Sequence, residues 1–298
     1  MQILRKIAVS KNLLNNIPKT LHLYWDKCTP LSKLQALTPE TFHRHNPDWN
    51  IKVYVPKQEY NGCAKYIPDY SGKDHFDLVE KMNYVKIIEV DITDYKISKD
   101  LHNILRSDIL RYKILYDEGG IWSDFDIIWL KSIDHLCKIK HANYVEELGF
   151  SVTMYKDVIG HYSIGVLLAK LNHPFYKTLL ENCYQIQKEP NKHPKLYNKR
   201  KKEFLHQSFG VSLWSMLYPR LTNLSMRYRD CSAIRYKTFY PYSIFNLEKL
   251  YNENDISVIT NDVVCVHWFN GHELSKKYIN EEQYNKECSM TTILNTML

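Results

Sequence analysis

Two carboxylates one residue apart, Asp124 and Asp126, sit in an apolar stretch that runs from Ile121 to Leu130. Ile121, Phe125, Ile127 and Ile128 surround them, which argues against simple exposure to solvent. Like charges this close repel, and a buried carboxylate costs about several kcal/mol unless something pairs with it. A hard divalent cation removes that cost, because Mg²⁺ or Mn²⁺ prefers carboxylate oxygen and also binds diphosphate oxygens. Read as one strand, the stretch alternates with period two and puts Trp122, Asp124, Asp126 and Ile128 on one face.

A second charged pair lies just upstream. The apolar spacing from Lys99 to Glu118 predicts a helix, stopped by Gly119-Gly120. At about 100° per residue, Leu101, Ile104, Leu105, Tyr112, Leu115 and Tyr116 form a broad apolar arc. Asp108 falls near its middle and Arg111 on its edge. Two readings stay open: a structural Asp108–Arg111 ion pair, or two groups facing a polar cleft that a ligand completes.

The elements that must hold these residues read as a single α/β domain. Ile17 to Trp25 and Asn50 to Val55 predict strands, and Tyr84 to Val90 a third. Thr38 to His45 predicts a helix with Pro39 in its first turn. Strand, helix and strand follow one another around Gly119-Gly120, the order of a largely parallel sheet. Beyond it, Ser163 to Ala169 predicts a strand and Pro174 to Ile186 a helix. Lys188 to Lys202 reads as a polar loop, Phe204 to Tyr218 as a helix, and Val258 to Trp268 as a late strand ending near His267. Residues 1–16 read as an N-terminal extension and 276–298 as a C-terminal tail of the one domain, 1–298.

Composition narrows the class of partner. A net charge of +7 favours anionic ligands, which a nucleotide diphosphate satisfies as well as a nucleic acid or an acidic membrane. The densest basic run, Lys195, Lys199, Arg200, Lys201 and Lys202, reads as a solvated loop against a specific phosphate site. The 23 tyrosines are scattered through apolar segments, as core residues are, so no nucleic-acid interface is expected. Cys28, Cys63, Cys137, Cys183, Cys231, Cys265 and Cys288 form no CxxC pair, which predicts buried free thiols in a reducing compartment. Arg5, Lys6 and Lys11 interrupt the first fourteen residues, so neither a signal peptide nor a transmembrane segment is expected. The expectation is a soluble cytoplasmic protein, unless an anchor has been removed upstream.

The stretch from Arg106 to Leu130 resembles the sugar-binding DxD region of glycosyltransferase family 32, and is similar to the catalytic domains of the large clostridial glucosylating toxins. Ser107-Asp108-Ile109-Leu110-Arg111, Gly119-Gly120, Trp122, Asp124 and Asp126 carry the resemblance. Ile17-Pro18-Lys19 to Trp25, Asn46-Pro47-Asp48, His173-Pro174-Phe175, Phe239-Tyr240-Pro241 and His267-Trp268 extend it as weaker landmarks. The resemblance implies a GT-A-type nucleotide-sugar-binding fold and a metal-dependent, retaining hexosyltransferase of glycan or polysaccharide biosynthesis. The implied donor is a nucleotide sugar, a UDP-sugar first and GDP-mannose second. The acceptor is a glycan, a lipid-linked saccharide or a protein, and the cofactor is Mn²⁺ or Mg²⁺.

Roles follow from the same resemblance. Asp126 is implied as a direct metal ligand, with Asp124 contacting both metal and donor. Asp108 and Arg111 are implied to hold sugar hydroxyls, Arg111 close to the diphosphate. Trp25 is implied against the base, Trp122 along the donor pocket, and His267 as a late metal or diphosphate ligand. The chain departs from the family at Gly271-His272, where Ser-Trp is usual, at Ile164-Gly165 in place of Asn-Gly, and at Phe209-Gly210-Val211 in place of Thr-Gly-Pro. A metal-dependent hydrolase or phosphoryl-transfer enzyme also pairs Asp residues around Mg²⁺, but no further acidic or histidine cluster has two-metal spacing. An anionic-surface binding module and an inactive relative are the remaining alternatives.

Overall fold

The computed structural model describes residues 13–58, 69–139, 145, 147–154, 162–205 and 207–297. Cys63 and the first residues of the expected N-terminal extension lie outside them. Twelve strands are formed among the described residues: β1 (Thr20–Tyr24), β2 (Asn50–Pro56), β3 (Val85–Val90), β4 (Gly120–Ser123), β5 (Ile127–Trp129), β6 (Phe150–Met154), β7 (Tyr162–Ser163), β8 (Val166–Ala169), β9 (Tyr197–Asn198), β10 (Glu203–Phe204), β11 (Cys231–Arg235) and β12 (Cys265–His267). The helices are α1 (Lys33–His45), α2 (Phe76–Glu80), α3 (Asn103–Asp117), α4 (Pro174–Lys188), α5 (Val211–Leu217), α6 (Leu221–Arg227), α7 (Glu248–Tyr251), α8 (Glu273–Asn280) and α9 (Ser289–Met297).

The main sheet runs β11-β6-β8-β4-β1-β2-β3, with β7 on β6. Pairing is parallel between β1 and β2, β1 and β4, β2 and β3, and β6 and β11, and antiparallel where β8 meets β4 and β6. Strands buried on both faces read as near-continuous apolar runs, and β4 and β8 are of this kind. Trp122, Leu167 and Ala169 enter a core with α3 and α4, while Ile121, Val166 and Leu168 enter a second core beneath β1 and β2. A third core joins the β5–β12 ribbon to α7, α8 and α9, so the expected C-terminal tail packs as helix through Tyr278, Ile279, Met290 and Ile293.

The joint between α3 and β4 explains the glycine pair. Gly119 and Gly120 both have positive φ, 65° and 89°. A β-carbon on Gly120 would lie 2.5 Å from the Thr20 carbonyl oxygen. Only glycine fits both demands. His22 on β1 completes the joint, with Nε2 2.9 Å from the Gly119 carbonyl and Nδ1 3.0 Å from the Tyr54 hydroxyl. Burial pushes its pKa down to about 4, so it is a neutral structural imidazole.

Several expected elements differ. α1 begins at Lys33, before the expected start, because Ser32 and Gln35 form a capping box; Pro39 therefore lies inside the helix. α3 begins at Asn103, where His102 caps it. The expected strand over Ile121–Leu130 is two strands, β4 and β5, in different sheets. The strand over Ser163–Ala169 is likewise split at Ile164-Gly165. The polar loop at Lys188–Lys202 contains the first strand of a hairpin, β9–β10, and the helix over Phe204–Tyr218 contracts to α5. The late strand contracts to β12. Among the cysteines, Cys137, Cys183, Cys231, Cys265 and Cys288 are free, but Cys28 is disulfide-bonded, against the expectation of free thiols throughout. No helix among the described residues is long and apolar enough to cross a membrane.

His173, one of the weaker landmarks, has a structural role. Its Nδ1 caps α4 by accepting from Phe175 N at 3.1 Å, and its Nε2 lies 3.2 Å from Asp230. Asp230 also binds Lys170 at 2.5 Å. The His173 hydrogen bond and the Lys170 charge hold the Asp230 carboxyl well below its ordinary pKa. A depressed carboxylate stabilises the fold above its unfolded pKa and ceases to do so as pH falls through the folded one. Asp230→Asn should therefore lose about 1 kcal/mol at pH 7, discounted for partial exposure. Urea unfolding should show the gap from wild type closing as the pH is lowered toward 2.

Candidate active site

The break between β4 and β5 builds the site. At Ser123 the chain leaves the main sheet, and the Asp124 amide donates to the Gly165 carbonyl at 2.9 Å. The turn is held from below by Thr38, whose hydroxyl donates to the Phe125 carbonyl at 2.6 Å. β5 then pairs antiparallel with β12, with Ile127 opposite His267. That register sets His267 beside Asp126, Nε2 to Oδ1 at 3.2 Å. The Asp126 carbonyl accepts from Trp268 N at 3.0 Å, and its Oδ2 accepts from Asn270 N at 2.9 Å. Asp124, Asp126 and His267 thus bring one ligand atom each to within 4.8 Å of one another.

The two carboxylates are brought together by a turn and not by strand alternation. Period two was the wrong rule for this segment, since Asp124, Phe125 and Asp126 are not in a strand. The conclusion that the pair is enclosed still holds. Asp124 is a third exposed, toward the pocket, and burial raises its pKa against the lowering effect of Arg111. Asp126 feels the same burial, but His267 and the Asn270 amide outweigh it and keep its carboxyl low.

Arg111 is the hub behind the pair. One guanidinium nitrogen donates to Asp124 Oδ1 at 2.9 Å and another to the Ile164 carbonyl at 2.7 Å. Asp108 lies 3.7 Å away, and the guanidinium stacks over Trp122 at 5.0 Å from the ring centre. The Trp122 indole nitrogen also donates to Asp124 Oδ1 at 2.9 Å. Trp122 is 1% exposed and Asp108 3%. Both stand behind Arg111, Trp122 bonded to Asp124 and Asp108 facing the guanidinium. Burial pushes the Asp108 pKa up to about 7 despite Arg111.

In front of this cluster is a pocket of about 360 Å³ lined by Trp25, Arg111, Asp124 and Asp126, with Asp26, Asn103 and Ser107 along another wall. Its volume is in the range of small-ligand sites. Trp25 packs edge-on against Phe125, centroids 5.6 Å apart. Three residues that line the pocket carry a buried polar atom with no hydrogen-bond partner among the described residues: Trp25 Nε1, Arg111 Nε and Asn270 Oδ1. Native interiors leave few such atoms, so a cluster of them marks a place where a ligand or ion belongs. The carboxylate and imidazole donor set suits a hard or borderline divalent cation.

Sequence reading missed Asn270, which follows the His267-Trp268 landmark, and Asp26, whose carboxyl is raised by burial while Asn103 and the Cys28 amide hydrogen-bond it. It also missed the reason for two glycines. A β-carbon on Gly165 would lie 3.0 Å from the Tyr240 hydroxyl and 3.3 Å from both Asp124 Oδ2 and His267 Cδ2. A β-carbon on Gly210 would reach 2.9 Å from Asp108 Oδ2. Both residues are retained where the chain otherwise departs from the family pattern. Gly165→Ala should push Asp124 and His267 apart and weaken Mn²⁺ binding roughly tenfold, about 1.4 kcal/mol. The cost to stability should stay near 1 kcal/mol. Mn²⁺ titration followed by electron paramagnetic resonance checks the first figure, and thermal unfolding without metal the second.

Residues 32–143 match a family model described as glycosyltransferase sugar-binding region containing DXD motif. The match spans α1 to the 3₁₀ turn after β5 and includes Asp108, Arg111, Asp124 and Asp126. The match covers under half of the chain and likens the segment that carries Asp124 and Asp126 to that region of glycosyltransferases. Among solved structures, the chain is similar to PaToxG glycosyltransferase at 17% identity, covering 72% of this chain and 74% of that one, with a TM-score of 0.47. The ligand-free glycosyltransferase domain from the YGT toxin is 10% identical over 73% of this chain and 80% of that one, TM-score 0.46. The galactosyltransferase LgtC, in complex with donor and acceptor sugar analogs, is 10% identical over 93% and 95%, TM-score 0.46. No curated protein matches the chain.

Proposed function

We propose that the protein is a metal-dependent retaining glycosyltransferase with a GT-A-type fold, moving a hexose from a nucleotide sugar to a hydroxyl acceptor. A UDP-sugar is the preferred donor and GDP-mannose the second. The observation that carries this reading is the convergence of Asp124, Asp126 and His267 beside a pocket walled by Trp25. A divalent cation held by these three residues would supply positive charge against a leaving diphosphate.

The chain's own groups do the rest. Trp25 offers an aromatic wall to a nucleobase, with Asp26 and Asn103 as polar groups near it. Arg111 fixes Asp124 by hydrogen bond and ion pair, so the carboxylate is oriented before any ligand arrives. The Asn270 amide and His267 do the same for Asp126. Such preorganisation costs no rearrangement when charge develops in the transition state. Asp108 and Trp122 secure that arrangement from behind, a positioning role.

Calorimetric titration with UDP, GDP and their sugars, with and without Mn²⁺, tests the reading, alongside the Asp124→Ala/Asp126→Ala variant. Metal-dependent binding of one nucleotide, lost in the variant, supports it and selects the donor. Product analysis then separates transfer from phosphoryl chemistry: a nucleoside diphosphate supports the proposal, whereas a nucleoside monophosphate overturns it.

A further inference from the structure

A second cavity, about 440 Å³, lies on the other side of the first turn of α3. Asn103, Ile104 and Ser107 face the donor pocket, while Leu101, His102 and Leu105 face this one. Its opposite wall is the β9–β10 hairpin, which contributes Tyr197, Lys202, Glu203 and Phe204. The hairpin is tied to the site already described. Phe204 packs on Phe209 at 5.0 Å, the Phe209 carbonyl accepts from the Tyr112 hydroxyl at 2.7 Å, and the next residue, Gly210, lies against Asp108.

We infer that this cavity binds an anionic saccharide, on the acceptor side of the proposed reaction. The Tyr197 and Phe204 rings, centroids 5.0 Å apart, are both only half-buried at the cavity edge. Half-open rings beside polar groups suit a sugar, whose C–H face packs on an aromatic surface while its hydroxyls meet side-chain acceptors. Asp100 and Glu203 are such acceptors. The preference for an anion comes from the hairpin. From Lys195 to Phe204 there are five cations and one carboxylate, Glu203; Lys202 lines the cavity with Asp100 and Glu203, and the other four cations stand on the hairpin or just before it. Glu203 approaches Lys201 at 3.7 Å. Lys195, Lys199, Arg200 and Lys202 have no ion pair among the described residues. Lys202 reaches the cavity from a backbone with positive φ, 53°, which turns the chain at the hairpin tip.

Assignment to the acceptor side rests on the proposed transferase activity; the binding itself does not. The test is therefore made in EDTA without donor, by titrating the full chain with hexagalacturonate, with maltohexaose and with a single-stranded oligodeoxynucleotide. Hexagalacturonate should bind most tightly and weaken with salt. Tyr197→Ala should weaken it roughly tenfold and Tyr197→Phe should not. Replacing Lys199, Arg200, Lys201 and Lys202 by Ser should remove the preference over maltohexaose, and these exposed changes leave the core untouched should Tyr197→Ala fail to fold. UDP or GDP titration with Mn²⁺ reads the donor site separately and should be unchanged by all these variants. Equal binding of the two hexasaccharides overturns the inference. So does no saccharide binding by folded protein, or binding blind to the hairpin variant. Tighter binding of the oligonucleotide assigns the cations to nucleic acid and overturns it too.

Discussion

Asp126→Asn should lower kcat/KM by at least about a thousandfold while leaving the metal-free protein within about 1 kcal/mol of wild-type stability. The two halves of this expectation have different origins. In the folded protein Asp126 accepts from the Asn270 amide at 2.9 Å, and an asparagine carbonyl can take over that bond. The His267 contact at 3.2 Å is weakened, but so is the repulsion from Asp126 that adds to burial in raising the Asp124 pKa. Those terms oppose each other, so stability barely moves. Function has no such compensation, because a neutral amide replaces an anionic oxygen at a three-group cluster that has only one other carboxylate. The loss should appear as weaker Mn²⁺ binding and lower kcat together. Mn²⁺ titration and steady-state kinetics on the same preparation check both, and urea unfolding in EDTA checks the stability. Full activity in the variant, or unfolding by several kcal/mol, would sink the assignment.

Comparison of sequence with structure shows where local pattern suffices. The helix stop at Gly119-Gly120, the strands β1 to β3 and the enclosure of Asp124 and Asp126 all follow from short-range spacing. What was not legible depends on partners distant in sequence. Nothing between Ile121 and Leu130 says that the segment leaves one sheet at Ser123 and joins another at Ile127. That exchange is decided by Gly165, whose carbonyl takes the Asp124 amide, and by β12, more than a hundred residues on. Asn270 escaped notice for the same reason: its role begins with a backbone amide, which no residue type announces. The packing of Trp122 and Asp108 against Arg111 is of the same kind, since the guanidinium that joins them also reaches Asp124 and Ile164 farther along the chain. Pro39 misled in the opposite direction: it suits a first turn, whereas the helix starts earlier at the capping box of Ser32 and Gln35. The Cys28 disulfide was invisible because the cysteines carry no paired spacing.

Arg111→Leu should be the most destabilising single change in the site, costing about 3–5 kcal/mol at neutral pH, as expected when one partner of a buried ion pair is removed. Leucine fills part of the space but leaves the Ile164 carbonyl without its donor and Asp124 Oδ1 with the Trp122 indole alone. It also removes the group that lowers the pKa of Asp108 and of Asp124, so both should rise further. A carboxyl whose folded pKa lies above its unfolded one favours the fold below the unfolded value and loses that contribution as pH rises through the folded value. The deficit should therefore be smallest near pH 5, where Asp108 is largely protonated, and largest near pH 9. Denaturant unfolding across that range checks the slope. A deficit independent of pH would instead place the cost in packing against Trp122 and in the lost bond to Ile164. Adding Asp108→Asn to Arg111→Leu separates the contributions: if buried charge dominates, the second change should recover part of the loss at pH 9 and little at pH 5. Arg111→Lys keeps the charge but cannot span Asp124 and the Ile164 carbonyl with one planar group. It should keep most of the stability and still lose kcat, because Asp124 then loses the guanidinium bond that orients it together with the Trp122 indole.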